Sequence, residues 1–187
     1  KAKYPHVQFI YGRPIGIHEE VLNILATRMQ EAGFASGEEH GDTAVLIIGR
    51  GSSDADANSD IYKMSRLFWE RWKAKWVETA FMGVTFPLYE EGIERCLRLG
   101  ARRVVVLPYF LFTGVLIKRM ADQLEQFRAR YPEAEFTLAE YFGFHPLLKE
   151  VLKDRVEEAL HGEVKLNCDT CQYRLAAMEH IDHHHHH

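Results

Sequence analysis

TAVLIIGRGSSDADAN, residues 43–58, decides the fold. Ala44, Val45, Leu46, Ile47 and Ile48 are apolar at both odd and even positions, which suits a parallel strand covered on both faces. Gly49-Arg50-Gly51 breaks the run where a tight turn is needed. Ser52, Ser53 and Asp54 are good helix N-caps, and a helical pattern follows over 55–73. The unit is a strand, a glycine turn and a capped helix. In open α/β sheets ligands bind outside the carboxyl ends of the strands, so function is sought at Arg50–Asp54.

Outward from this unit the alternation repeats. Strand 77–82 precedes helix 88–99, which stops at Gly100. Strand 103–107 precedes helix 116–130, and strand 134–138 precedes helix 146–160. Four β-α units predict an α/β fold: a three-layer αβα sandwich around a four-stranded parallel sheet, flavodoxin-like. Ahead of it, His6–Ile10 reads as a strand and 17–31 as a helix with Val21, Leu22, Leu25 and Met29 on one face. The polar, glycine-bearing stretch 34–42 is the best boundary. The expected organisation is a strand-helix piece over 1–33, a linker at 34–42, a domain over 43–162 and a tail over 163–187.

The first piece repeats later in the chain. Tyr4-Pro5, Phe9, Gly16-Ile17-His18, Arg28 and Glu31-Ala32 align in one register with Tyr131-Pro132, Phe136, Gly143-Phe144-His145, Arg155 and Glu158-Ala159. Duplicated architecture is the reading, with 1–33 as the end of a preceding, similar half.

Composition excludes several classes. Hydrophobic residues make up 47%, enough for a real core. A net charge of −4 offers no basic surface, so no nucleic-acid partner is expected. No stretch reaches the roughly 20 apolar residues of a membrane span, and no signal peptide opens the sequence. Three cysteines do not make a disulfide framework. The chain reads as soluble and cytoplasmic.

The ordered set of motifs resembles the class II tetrapyrrole chelatases, and within them the long-form sirohydrochlorin chelatases of the CbiX and SirB type. The residues that carry the likeness are Gly49-Arg50-Gly51-Ser52-Ser53-Asp54 with Ala57-Asn58, Phe81 with Thr85-Phe86-Pro87, and Leu107-Pro108-Tyr109-Phe110-Leu111-Phe112-Thr113-Gly114. Gly143-Phe144-His145-Pro146 and Asn167-Cys168-Asp169-Thr170-Cys171-Gln172-Tyr173-Arg174 add to it. The resemblance implies a lyase that inserts Co2+ or Fe2+, as substrate metal, into the tetrapyrrole sirohydrochlorin. Long forms are two similar halves, and this sequence looks like the end of the first plus all of the second. It departs from the catalytic half at three places. Arg50 stands where the resemblance puts a metal-binding His, Gly83 where it puts a Glu, and Leu116 where it puts a second His. By that comparison no catalytic residue lies in this chain, and the catalytic His belongs to a missing half. The rival is a non-catalytic tetrapyrrole- or metal-binding regulatory module on the same fold. A nucleotide-binding flavodoxin-like protein is disfavoured, since no Gly-x-Gly-x-x-Gly or Walker sequence is present.

The substrate-binding candidates are Arg50, Gly51, Ser52, Ser53, Tyr109, Phe112, Thr113 and Gly114. Arg50 sits ahead of a helix N-terminus, where backbone N–H groups and the helix dipole attract anions and a guanidinium adds a carboxylate clamp. Its plainer reading is a surface charge paired with Asp54 or Asp56. Tyr109, Phe110 and Phe112 either line a flat macrocycle or pack the core, and Thr113-Gly114 either presents amides or only turns the chain. His18 and His145 cap helices or, with partners, bind metal. Cys168 and Cys171, in a Cys-x-x-Cys, either carry an iron–sulfur cluster, as the resemblance implies, or form a structural or oxidised pair. Cys96 reads as core. Trp69, Trp72 and Trp76 read as packing, with one face free for a neighbouring domain. The terminal histidine run is a tag or a metal-binding tract. Residues 1–33 either pack as the remnant of a lobe or pair with a second copy in a homodimer.

Overall fold

The computed structural model describes residues 3–35, 40–111 and 114–162. The candidates Phe112, Thr113, Cys168 and Cys171 lie outside them. Two compact units divide the chain, one holding Glu19–Leu148 and the other the two ends, up to His18 and from Lys149.

The larger unit contains α1 (Glu19–Glu31), β1 (His40–Gly49), α2 (Ala55–Arg71), β2 (Ala74–Phe81), α3 (Tyr89–Arg98), β3 (Arg103–Pro108), α4 (Val115–Arg130) and β4 (Glu135–Leu138). The four strands form one parallel sheet in the order β2-β1-β3-β4. β1 is central, and Val45, Leu46, Ile47 and Ile48 are fully buried. Alternate residues serve opposite faces: Ala44, Leu46 and Ile48 pack with Ile93 and Cys96 of α3 and with Met120 and Leu124 of α4. This is the both-faces burial that a continuous apolar run requires. Gly92 lets α3 approach closely, since a Cβ there would stand 2.7 Å from the Ala80 Cβ and 2.9 Å from Leu46 Cδ1. Burial pushes the Cys96 thiol up to about 12, so it is an inert core group. Trp72 is buried and stacks on Phe68 at 5.6 Å, and Trp69 Nε1 donates to the Ala74 carbonyl at 3.0 Å.

α1, which the sequence groups with 1–33 ahead of the 34–42 linker, belongs to the same compact unit as β1–β4 and packs on α2 and β3. Residues 6–10 do not form the expected strand. A strand needs a partner for its backbone groups, and among the described residues no strand pairs with this segment. It runs exposed instead, with Val7, Phe9, Ile10 and Tyr11 all well solvated.

The second unit joins the N-terminal segment to the remainder of α5, a helix over Pro146–Leu160. Arg155, 6% exposed, donates Nε to the Pro14 carbonyl at 2.9 Å, Nη2 to Ile15 at 2.8 Å and Nη1 to Glu158 at 2.9 Å. Arg13 donates to the same carboxylate at 2.8 Å. Here the sequence repeat acquires physical content. In the larger unit Arg28, the counterpart of Arg155, donates to the Phe142 carbonyl at 2.8 Å and to Glu31 at 2.5 Å. Ile15 and Phe142 occupy matching repeat positions, as do Glu31 and Glu158. Each repeat's arginine therefore binds the other repeat's carbonyl and its own glutamate.

Candidate functional site

Backbone sterics build the site first. β1 ends at Gly49, whose carbonyl accepts from the Met82 amide at 2.9 Å, tying the start of the β2–α3 loop to the end of β1. Gly51 has φ +88, and a Cβ there would lie 1.9 Å from the Gly83 carbonyl oxygen. Only glycine admits both the left-handed backbone and that approach. Asn58 then clamps the turn: its Oδ1 accepts from the Ser52 amide at 3.0 Å and its Nδ2 donates to the Ser52 carbonyl at 2.8 Å. Asp54 caps α2 by accepting from the Asp56 amide at 3.0 Å, and the Asp54 amide donates to Ser52 Oγ at 3.0 Å.

These bonds correct part of the sequence reading. The Ser52 and Asp54 amides, expected to face an anion, are already engaged inside the turn. The Asp54 carboxylate caps its helix, and Arg50 pairs with neither Asp54 nor Asp56. Among the described residues Arg50, exposed, has no ion pair or hydrogen bond.

Arg50 instead lines a cleft of about 370 Å³ with Met82, Gly83, Val84, Leu116 and Arg119. The volume is at the low end of the roughly 300–1,000 Å³ of small-molecule pockets. The cleft lies where an α/β sheet places its ligands, beyond the carboxyl ends of β1 and β2 and against the first turns of α4. Arg50, Gly83 and Leu116, the three positions at which the resemblance puts a His, a Glu and a second His, all line it. Among the described residues its lining holds no carboxylate, and Arg119 brings a second guanidinium that also has no ion pair there. Val84 holds φ +69, a left-handed conformation that strains a β-branched residue, and such strain concentrates at functional sites. Among the described residues no group of three or more His, Cys, Asp or Glu side chains is placed to hold a metal ion.

The remaining candidates fall elsewhere. Tyr109 packs edge-on to Phe142 at 4.9 Å, its amide donates to the Ile48 carbonyl at 2.8 Å, and burial raises its phenol well above the usual range. Phe110 packs against the core cluster. Neither is among the residues lining that cleft. Gly114 is the N-cap residue of α4 and offers no side-chain cap. His145 caps α5, its Nδ1 accepting from the Leu147 amide at 3.2 Å. The His18 ring bonds Asp154 at 3.0 Å in the smaller unit.

Sequence reasoning missed Arg119, Met82 and Val84. Arg119 had a weak local signal: α1, α2 and α3 carry acids in their first turns, whereas α4, like α5, carries none and reads Val115-Leu116-Ile117-Lys118-Arg119. That departs from the usual preference for anions at helix N-termini.

Comparison with known proteins agrees with this architecture. Residues 44–159 match the family model described as CbiX. The chain is 64% identical to a sirohydrochlorin cobaltochelatase of Priestia megaterium over 98% of its length and 60% of that relative's. It is 33% identical to a sirohydrochlorin ferrochelatase of Bacillus subtilis, over 94% of this chain and 66% of the other. The solved structure of SirB from Bacillus subtilis with Fe3+ superposes with a TM-score of 0.72 at 32% identity, covering 89% of this chain and 65% of that one. The chain thus spans about three fifths of the curated relatives' length. Among the described residues no helix is long and apolar enough to cross a membrane.

Proposed function

The chain belongs to the CbiX family, and from that premise we propose that it serves sirohydrochlorin chelation, a lyase reaction with Co2+ or Fe2+ as substrate metal, as the lobe that holds the macrocycle rather than the one that binds the metal. The observation that carries this is the composition of the cleft. The three positions where a metal-inserting lobe would hold His, Glu and His converge there as Arg50, Gly83 and Leu116. A guanidinium, a hydrogen and an isobutyl group cannot ligate a dication, and arginine keeps its proton at any working pH. The same surface suits a macrocycle rich in carboxylates: apolar lining from Val84 and Leu116, cations from Arg50 and Arg119 and, among the described residues, no acid.

In this reading the general base and the metal ligands come from a preceding, similar lobe. Support comes from the register of the repeat, from the reciprocal Arg28 and Arg155 contacts and from the longer relatives. Imidazole is the base suited to removing pyrrole protons near neutral pH. The rival, a binding or regulatory module, would keep the same cleft without contributing to turnover.

Anaerobic insertion of Co2+ and Fe2+ into sirohydrochlorin tests both. This chain alone is expected to bind the tetrapyrrole but to metallate it no faster than the uncatalysed reaction. A longer chain carrying the preceding lobe is expected to turn over and to lose substrate affinity when Arg50 is replaced. Turnover by this chain alone would overturn the division of labour. Unchanged substrate affinity in the longer Arg50→Ala chain would overturn the role of the cleft. The tail's iron–sulfur reading rests on the Cys168–Cys171 spacing and on the family resemblance, and anaerobic reconstitution compared with Cys168→Ser checks it by visible absorption.

A further inference from the structure

α4 is the element whose local chemistry is least explained by stability. Its N-cap residue, Gly114, provides no capping side chain, its first turn holds no acid, and Val115 stands 83% exposed. Lys118 closes the first turn and Arg119 opens the second, so the electropositive end of the helix is complemented by no acid of its own. Arg119 is not drawn off by an acid: among the described residues it has no ion pair. Departures from local rules with no structural compensation are expected at functional positions.

What Arg119 does is set by where it lies. It lines the same cleft as Arg50, across Gly83, Val84 and Leu116. In a chain of net charge −4 this places two cations in one concavity whose lining, among the described residues, holds no carboxylate. Two guanidiniums lining one cleft with the apolar side chains of Val84 and Leu116 suit neighbouring carboxylates on a flat ring, since each guanidinium can bind one carboxylate through two parallel hydrogen bonds. The cleft is small, so it takes an edge of a ligand and not a whole macrocycle.

We infer that Arg50 and Arg119 form a two-guanidinium clamp for adjacent carboxylates on the edge of a planar ligand, with Val84 and Leu116 as the apolar floor. Resting on the tetrapyrrole reading above, the clamp takes the acetate and propionate arms of one pyrrole ring and so fixes which edge of the macrocycle faces this lobe. The same two charges repel a free dication, which keeps the metal to the other side of the ring.

The test is calorimetric titration of this chain with mellitate, a planar hexacarboxylate, and separately with sirohydrochlorin under anaerobic conditions. Arg50→Ala and Arg119→Ala are each expected to weaken mellitate binding at least about tenfold. Arg119→Lys should restore only part of the loss, because lysine keeps the charge without the fork. Arg95→Ala is the control, removing an exposed arginine outside the cleft that also lacks an ion pair among the described residues; it should leave affinity unchanged. Loss on only one of the two cleft substitutions, equal loss on Arg95→Ala, or no mellitate binding by the parent chain overturns the clamp. Full rescue by Arg119→Lys would overturn the bidentate geometry. Mellitate binding that needs both arginines, together with no binding of sirohydrochlorin, would uphold the clamp and remove the tetrapyrrole reading. Sirohydrochlorin binding that ignores both arginines would do the reverse.

Discussion

At the scale of the residue, backbone geometry and proton affinity give two predictions. Gly51 carries φ +88 and leaves no room for a Cβ beside the Gly83 carbonyl. Gly51→Ala should therefore cost about 1–3 kcal/mol in stability. It should also displace the β2–α3 loop at the cleft, so thermal melting and mellitate affinity are expected to fall together. A variant with parental values for both would show that the close approach is dispensable. His145 supplies the second prediction. Burial holds its pKa below the ordinary histidine value, the Arg28 guanidinium lowers it further, and Glu31 opposes them. The unfolded chain then takes up this proton at higher pH than the folded one does. The contribution of neutral His145 to stability is full above the ordinary histidine pKa and is lost as pH falls toward the lowered folded value. Geometry points the same way, because protonating Nδ1 removes the acceptor of the Leu147 amide. Denaturant melts between about pH 7 and pH 5 should show the parent losing stability more steeply than His145→Asn, which retains a cap but does not titrate. Parallel slopes would remove His145 from the acid response.

At the scale of the element, the sequence was readable where burial repeats with a simple period. β1 is apolar on both faces because it lies between β2 and β3 with helices above and below, and α5 falls where the pattern places it. Legibility fails at edges. β2 begins at Ala74 instead of Val77, since an edge strand tolerates the exposed Lys75 and the periodic run is broken there. Residues 6–10 have strand-like composition, yet β structure needs a partner strand, which local sequence cannot supply. α4 tests whether a helix has been kept weak for binding. Val115 is exposed in its first turn, so Val115→Glu loses little packing and complements the helix dipole. It should stabilise the fold by about 0.3–1 kcal/mol. The same carboxylate would compete for the Arg119 side of the cleft, so polycarboxylate affinity should drop while the melting temperature rises. Both properties rising together would show that the first turn of α4 is not part of the binding surface.

At the scale of the whole molecule, the sequence indicated which three residues break the metal-binding pattern but not that they share a cleft. That knowledge needs the strand order, which carries the end of β1 beside the end of β2 and near the start of α4. Arg119 was harder to pick out for the same reason: an acid-free first turn is shared with α5, and only the fold places this residue in one cleft with Arg50. The convergence can be checked by reversing the substitutions. Gly83 has open space where a Cβ would be built and no left-handed φ, so Gly83→Glu is sterically admissible. Arg50→His removes a charge that repels dications and adds a nitrogen donor, and Leu116→His adds another from a second residue lining the same cleft. Two imidazoles and a carboxylate are a sufficient donor set for a first-row dication with solvent in the remaining positions. The triple variant should bind Co2+ at least about tenfold more tightly than the parent, read from the visible absorption of the cobalt ion. Each single variant should gain less, because one ligand without partners holds a dication weakly. The gain should vanish on acidification, as both imidazoles must be neutral to ligate. A triple variant with parental cobalt affinity would mean that the three positions, although they line one cleft, do not point at one place.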